Sequence, residues 1–330
     1  MGKIYLTSNE IGTMWTQYIQ NSLYIQILKY FLETVEDNKI KELIQDSLIL
    51  SERINNEIKS VFEHEDIPIP HGFNDQDVNL KAEKLFLDPF MIQFLEHTLK
   101  AGVIAHGSTL IVSTRKDIRQ FFTETTEDSL RLFNKCTDLA LSKGLLVRAP
   151  SIKVQPDIEY VEKKKYMSSF SNRPLNMVEI THLFENIKTN TVGEMITMAF
   201  AQTTNNDTVK KFMNRGLKIS QKHIRIFQKT IKESYIDAPI GSNSYVTNSK
   251  NRVFSDKLMM HFLSVVLTAA GQGNYSTAST ASLRNDLILS YQRLAAEIAG
   301  YAKDGADIMI EHGWLEEPPQ APDRKQLITD

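Results

Sequence analysis

Apolar residues recur along the chain at alternating three- and four-residue spacings. In the second half they fall at Ile180, Phe184, Ile187, Met195 and Met198, then at Val209, Met213, Ile219 and Phe227. A later run holds Leu287, Tyr291, Leu294, Ile298, Tyr301 and Ile308. That spacing lines one face of an α-helix, as a bundle helix requires. The pattern predicts four amphipathic helices of roughly 27 residues, ~40 Å each at the α-helical rise, in each half of the chain.

The halves are copies. A shift of 169 positions lays Leu6 on Leu175, Glu10 on Glu179, Ile11 on Ile180 and Asp117 on Asp286. It also lays Gly144 on Gly313 and Pro150 on Pro319, and Pro70–Gly72 falls near Pro239–Gly241. One register held from Leu6 to Pro150 marks a tandem duplication. Thr7-x-x-Glu10 has the pattern of a capping box, and Asn176-x-x-Glu179 repeats it. "GLLVRAP" and "GWLEEPPQAP" end the last helix of each copy, with Gly144 and Gly313 as left-handed stops and proline beyond.

Connection lengths choose the topology. Short polar turns, 35–39 and 204–208, join helices one and two; tight turns near Ser113 and Ser282 join three and four. Long irregular stretches, about 66–84 and 235–253, lie between two and three. About twenty extended residues reach ~66 Å, enough to cross a bundle. The expected fold is all-α: two tandem ferritin-like four-helix bundles with one long crossover each. The expected boundaries are 1–150 for the first bundle and 175–319 for the second. Residues 151–174 form a linker packed on the bundles through Ile158, Tyr160, Val161, Tyr166, Met167 and Phe170, and 320–330 form a tail.

Composition narrows the classes. A net charge of −2 gives no general pull toward nucleic acid or an anionic membrane. No apolar run approaches the ~18–20 residues of a membrane span. The opening residues lack a signal-peptide core, and the single cysteine, Cys136, fits a reducing compartment. A cytoplasmic protein is expected. Cys136 falls on an apolar stripe and reads as an inert buried thiol.

"RPLNMVEITHLFENIKTN" (173–190), "FSDKLMM" (254–260), "GNYSTA" (273–278), "RNDL" (284–287) and "DGADIMIEHGWLEEPPQAPDR" (304–324) resemble a family of uncharacterised proteins from spore-forming bacteria. That family is a tandem of ferritin-like bundles distantly related to spore coat protein F. The resemblance covers essentially the whole chain. It implies the fold and a spore or stress setting; it implies no reaction.

A ferritin-like bundle invites a test for metal. A di-iron site takes a Glu from each of two helices and a Glu-x-x-His from each of the other two. Copy one has Ile25 and Ile54 at the matching positions and reads as plain core; copy two has Glu194 and His223. Ser220-x-x-His223 lacks the Glu of the motif, and Glu297-x-x-Gly300 lacks the His. A complete di-iron site is not expected. Axial level places His223 opposite Glu297 on helix four, which predicts a hydrogen-bonded polar pair.

Three readings of function stand. The first is a non-enzymatic structural or interaction protein whose bundles pack with approximate two-fold symmetry, with protein partners or homo-oligomers beyond, and no cofactor. The second is a metal-binding or vestigial di-iron-like protein with one Fe, Mn or Zn site at His223, Glu297, Glu194 and His261. The third is a small-molecule binder at the small-residue run of helix three, lined by Gly271, Gln272, Gly273, Asn274 and Tyr275. That run reads first as close helix packing; a cavity or helix bulge is its sharper alternative.

Overall fold

The computed structural model describes residues 4–154, 156–168, 173–238 and 245–329. Pro239, Gly241 and the linker's Phe170 lie outside them. In the first half α1 runs Ser8–Thr34, α2 Asn38–His64, α3 Asp88–Val112 and α4 Lys116–Ser142. In the second, α5 runs Met177–Thr203 and α6 Asp207–Lys232. The third helix there is broken into α7 (Asp256–His261), a π-helical segment (Phe262–Leu267) and α8 (Thr268–Ala281). α9 spans Asn285–Glu311, and a short α10 (Arg324–Thr329) follows.

Both capping boxes form. Thr7 and Asn176 cap α1 and α5, and Glu10 and Glu179 reach back to the cap backbones. Each Glu is fully buried and also ties its helix start to the turn between the third and fourth helices. Glu10 accepts from the Thr114 and Arg115 amides at 2.7 and 2.9 Å, and Glu179 from the Leu283 amide at 3.3 Å. Burial would raise both carboxyls. Backbone amides outweigh it at Glu10, and Arg173 with backbone amides at Glu179, so both stay below the ordinary range. Gly144 and Gly313 both sit at φ +65°. Leu145 and Trp314 donate back to Ala140 O and Met309 O, closing the same Schellman stop twice.

Within each half the first helix packs on the second and third, and the fourth on the second and third. The second and third helices therefore lie diagonally, and the long crossover links them.

The crossovers bind the halves together. Val78 pairs with Phe254, and Phe86 with Val246, as two isolated antiparallel bridges. Asn79 N donates to Val253 O at 2.7 Å, and Thr247 N to Leu85 O at 2.9 Å. Leu87 N donates to Tyr245 O and Ser255 N to Asp77 O, both at 2.9 Å. A shift of 168 positions turns each bond of a pair into the other, so the contact is isologous, like that of a two-fold dimer. The aromatic packing repeats the symmetry. Phe31 meets Phe94 at 5.4 Å between centroids, and its counterpart Phe200 meets Phe262 at 6.1 Å. One continuous apolar core runs through both halves. The expected packed, approximately two-fold arrangement of the bundles is present.

The linker differs from expectation. Ile158 and Tyr160 are 90% and 89% exposed, and Val161 and Met167 are also exposed. Among the described residues Ile152 packs on the second bundle's core, and Arg173 lies over the Tyr166 ring and donates to Tyr166 O.

Candidate functional site

The third helix of the second bundle spans one residue more than α3, and the extra residue has a visible home. The N-caps Leu87 and Ser255 differ by 168 positions; the C-caps Ser113 and Ser282 differ by 169. The register slips inside the helix, and the π segment between lies where an inserted residue is absorbed as a wider turn. The corresponding stretch of α3 is plain α-helix.

Beyond the bulge, Tyr275 points into the bundle and is nearly fully buried. Its Oη lies 2.8 Å from His223 Nδ1 and accepts from Asn190 Nδ2 at 2.9 Å. His223 Nε2 lies 3.0 Å from Glu297 Oε2, and Lys222 Nζ reaches the same carboxylate at 2.8 and 2.9 Å. Burial would raise the Glu297 carboxyl, but the Lys222 and His223 hydrogen bonds hold it below the usual range. Burial keeps the His223 imidazole below its ordinary range, partly offset by Glu297. These directions fix the protons. Neutral His223 donates from Nε2 to ionised Glu297 and accepts at Nδ1 from the Tyr275 hydroxyl, which accepts from Asn190. Every member of the chain has a partner, as a buried polar network requires.

The predicted His223–Glu297 pair is thus a direct hydrogen bond. Glu194 is buried and accepts from Gln221 Nε2 at 3.0 Å. His261 packs edge-on against Phe73 at 5.3 Å, and burial lowers it to about 4. Among the described residues no three His, Cys, Asp or Glu side chains gather closely enough to hold a metal ion. Both ring nitrogens of His223 are engaged, so a metal there would have to displace Tyr275 or Glu297.

The small-residue run is mostly packing. Gln272 Nε2 donates to Ala295 O at 2.8 Å, and Asn274 Nδ2 to Thr189 Oγ1 at 3.3 Å. A methyl on Gly271 would meet Ile298 Cδ1 at 3.0 Å, whereas one on Gly273 would meet nothing within 4 Å. A cavity of about 50 Å³ remains beside Gly271 and Tyr275, lined also by Asn190, Ser220 and Thr268.

Sequence reasoning missed the matching cavity of the first bundle, about 80 Å³, between Gln17, Asn21, Ile54, Phe94 and His106. Ile25 and Ile54 are buried core as expected, and Gln17, Asn21 and His106 add polar groups to an otherwise mostly apolar lining. The duplication register is the signal that finds it: His106 stands at the place of Tyr275, Asn21 at that of Asn190, and Ile54 at that of His223.

The family model for proteins of unknown function designated DUF3231 matches the chain twice, over residues 2–158 and 167–327. The chain belongs to this family. The two matches to the DUF3231 chain reproduce its duplication. None of the curated proteins matches it. A crystal structure described as a "putative spore coat protein" from Bacillus halodurans is similar at 19% identity and a TM-score of 0.42, covering 46% of this DUF3231 chain and 98% of that one. Among the described residues no helix is long and apolar enough to cross a membrane.

Proposed function

We propose that the chain is a non-enzymatic structural or interaction protein. Two ferritin-like bundles, 1–150 and 175–319, are fused into the equivalent of a two-fold dimer and act as one body. The observation that carries this reading is the paired set of crossover hydrogen bonds, Asn79 to Val253 and Thr247 to Leu85, over a core shared by both halves. The His223 network supports it, because its members satisfy one another and leave no reactive group free. Ile104 and Ile111, 62% and 81% exposed on the outer side of α3, offer apolar contacts to a protein partner. The family resemblance supports a spore or stress setting, and the single cysteine, Cys136, a reducing cytoplasmic one.

Elemental mass spectrometry tests the reading against the metalloprotein alternative. Untagged protein purified without chelator, then loaded with Fe(II), Mn(II) or Zn(II), should carry well below one metal per chain. One equivalent that disappears in His223→Ala would overturn the proposal and establish a metal site in the second bundle.

A further inference from the structure

The mostly apolar cavity of the first bundle contains hydrogen-bond acceptors that the chain itself leaves open. Gln17 is 4% exposed. Its Nε2 donates to Ala105 O and Thr109 Oγ1. Thr109 donates its own hydroxyl to Ala105 O at 3.1 Å, so Thr109 Oγ1 can only accept from Gln17, which fixes the amide orientation. Gln17 Oε1 is then left buried with no protein partner among the described residues. His106 is 6% exposed. Ser129 donates to Thr125 O at 2.8 Å and so accepts from His106 Nδ1 at 2.9 Å, leaving Nε2 of the ring as a lone pair. Burial lowers this imidazole to about 4, so the lone pair is present at neutral pH. Asn21 engages its amide N–H with Gln17 O at 2.9 Å, and its Oδ1 remains to accept.

The second bundle is the internal control. There His223 and Tyr275 close their polar groups on one another, on Asn190 and on Glu297, and leave a smaller cavity of about 50 Å³. In the first bundle Ile54 occupies the histidine's place and provides no such partner. An unpaired buried acceptor costs about 1–3 kcal/mol, so a group that supplies donors is favoured there.

We propose that the first bundle's cavity binds a small neutral molecule that presents O–H or N–H donors to Gln17 and His106 on a compact apolar body, the chemistry of a short-chain amide or alcohol. Charge decides for neutrality. No Asp or Glu lines the cavity, so a cation would be buried unpaired, and the acceptors repel an anion. Size decides for a short chain. An apolar cavity of about 150 Å³ holds benzene, and this one is about 80 Å³. Tyr24, Ile54 and Phe94 supply the apolar wall. The site is independent of the structural role proposed above.

Amide-resolved NMR titration of the full chain tests this with two probes of equal heavy-atom count, propionamide and butanone, the second lacking a donor. Propionamide should give saturable shifts confined to the first bundle around Gln17 and His106. Butanone should bind at least tenfold more weakly. Gln17→Met should reduce propionamide affinity about tenfold and leave butanone unchanged. No saturable shift, shifts centred on the second bundle, or equal binding of the two probes to the unmodified chain would overturn the proposal. The last comparison needs no variant, so it stands even where Gln17→Met folds poorly.

Discussion

Phe94 and Phe262 stack with ring centroids 5.9 Å apart and planes inclined by 27°. They are also each other's counterparts in the duplication, 168 positions apart. A residue that touches its own counterpart lies on the symmetry axis, so these rings mark the pseudo-two-fold at the centre of the shared core. Phe94→Ala and Phe262→Ala should each cost about 3–5 kcal/mol and should resemble one another. The double variant should lose less than the sum, because the rings are in contact. Urea unfolding of the three variants checks this; fully additive losses would mean that the rings do not couple the halves.

The π segment predicts an asymmetric response to deletion. Removing Val265 takes one residue out of the bulge and should let the third helix close as plain α-helix, with a modest change in melting temperature. Removing His97 from α3 forces a slip into a regular helix and should destabilise far more. Thermal melts of the two deletions decide; equal damage would count against the inserted-residue origin of the bulge.

Glycines 271 and 273 should part company. Gly273→Ala has room and removes the helix cost of glycine, so stability should rise by about 0.5–1 kcal/mol. Gly271→Ala must push against Ile298 and should gain nothing or lose. If both variants were equally stabilising in chemical denaturation, the run would not be a packing device.

Stability should fall in mild acid. Burial lowers His106 and His261 to about 4 each, from 6.5. Below 6.5 the unfolded chain binds protons that the folded chain refuses. The stability these neutral imidazoles confer is therefore complete above that pH and lost as pH falls toward 4. Each should contribute about 1–2 kcal/mol of loss by pH 5. Urea melts at pH 7.5, 6 and 5 measure it, and His261→Leu should flatten the profile. A stability that is level from pH 7.5 to 5 would contradict the burial of these rings.

The bundle helices, their caps and turns and the duplication were legible because each has a local residue signature, such as Thr7 with Glu10, Asn176 with Glu179, Gly144 and Gly313; the short α10 in the expected tail was not. The His223–Glu297 pair followed from helix rise and topology alone. Tyr275 was singled out as a pocket residue, and its bond to His223 was not foreseen, because side-chain reach across a bundle leaves no spacing in sequence. The π segment hid for a related reason: the segments before and after it, Pro70–Gly72 and Asp117 onward, both match at 169 positions, so a slip confined between them leaves the overall register intact. The first bundle's cavity hid because Gln17, Asn21 and His106 lie on three separate turns among apolar residues, and only the partner each lacks gives them meaning. The exposure of Ile158 and Tyr160 departs from the expected linker packing because an apolar side chain in an irregular segment carries no periodicity that assigns it a face.

The union of the two bundles is tested most directly by hydrogen exchange at the amides of Asn79, Leu87, Thr247 and Ser255, each of which donates to a backbone carbonyl of the other half. They should exchange only through global unfolding, as slowly as the slowest core helix amides. Exchange as fast as that of the exposed linker around Ile158 and Tyr160 would show that the halves part freely, and the chain would then be two bundles on a tether.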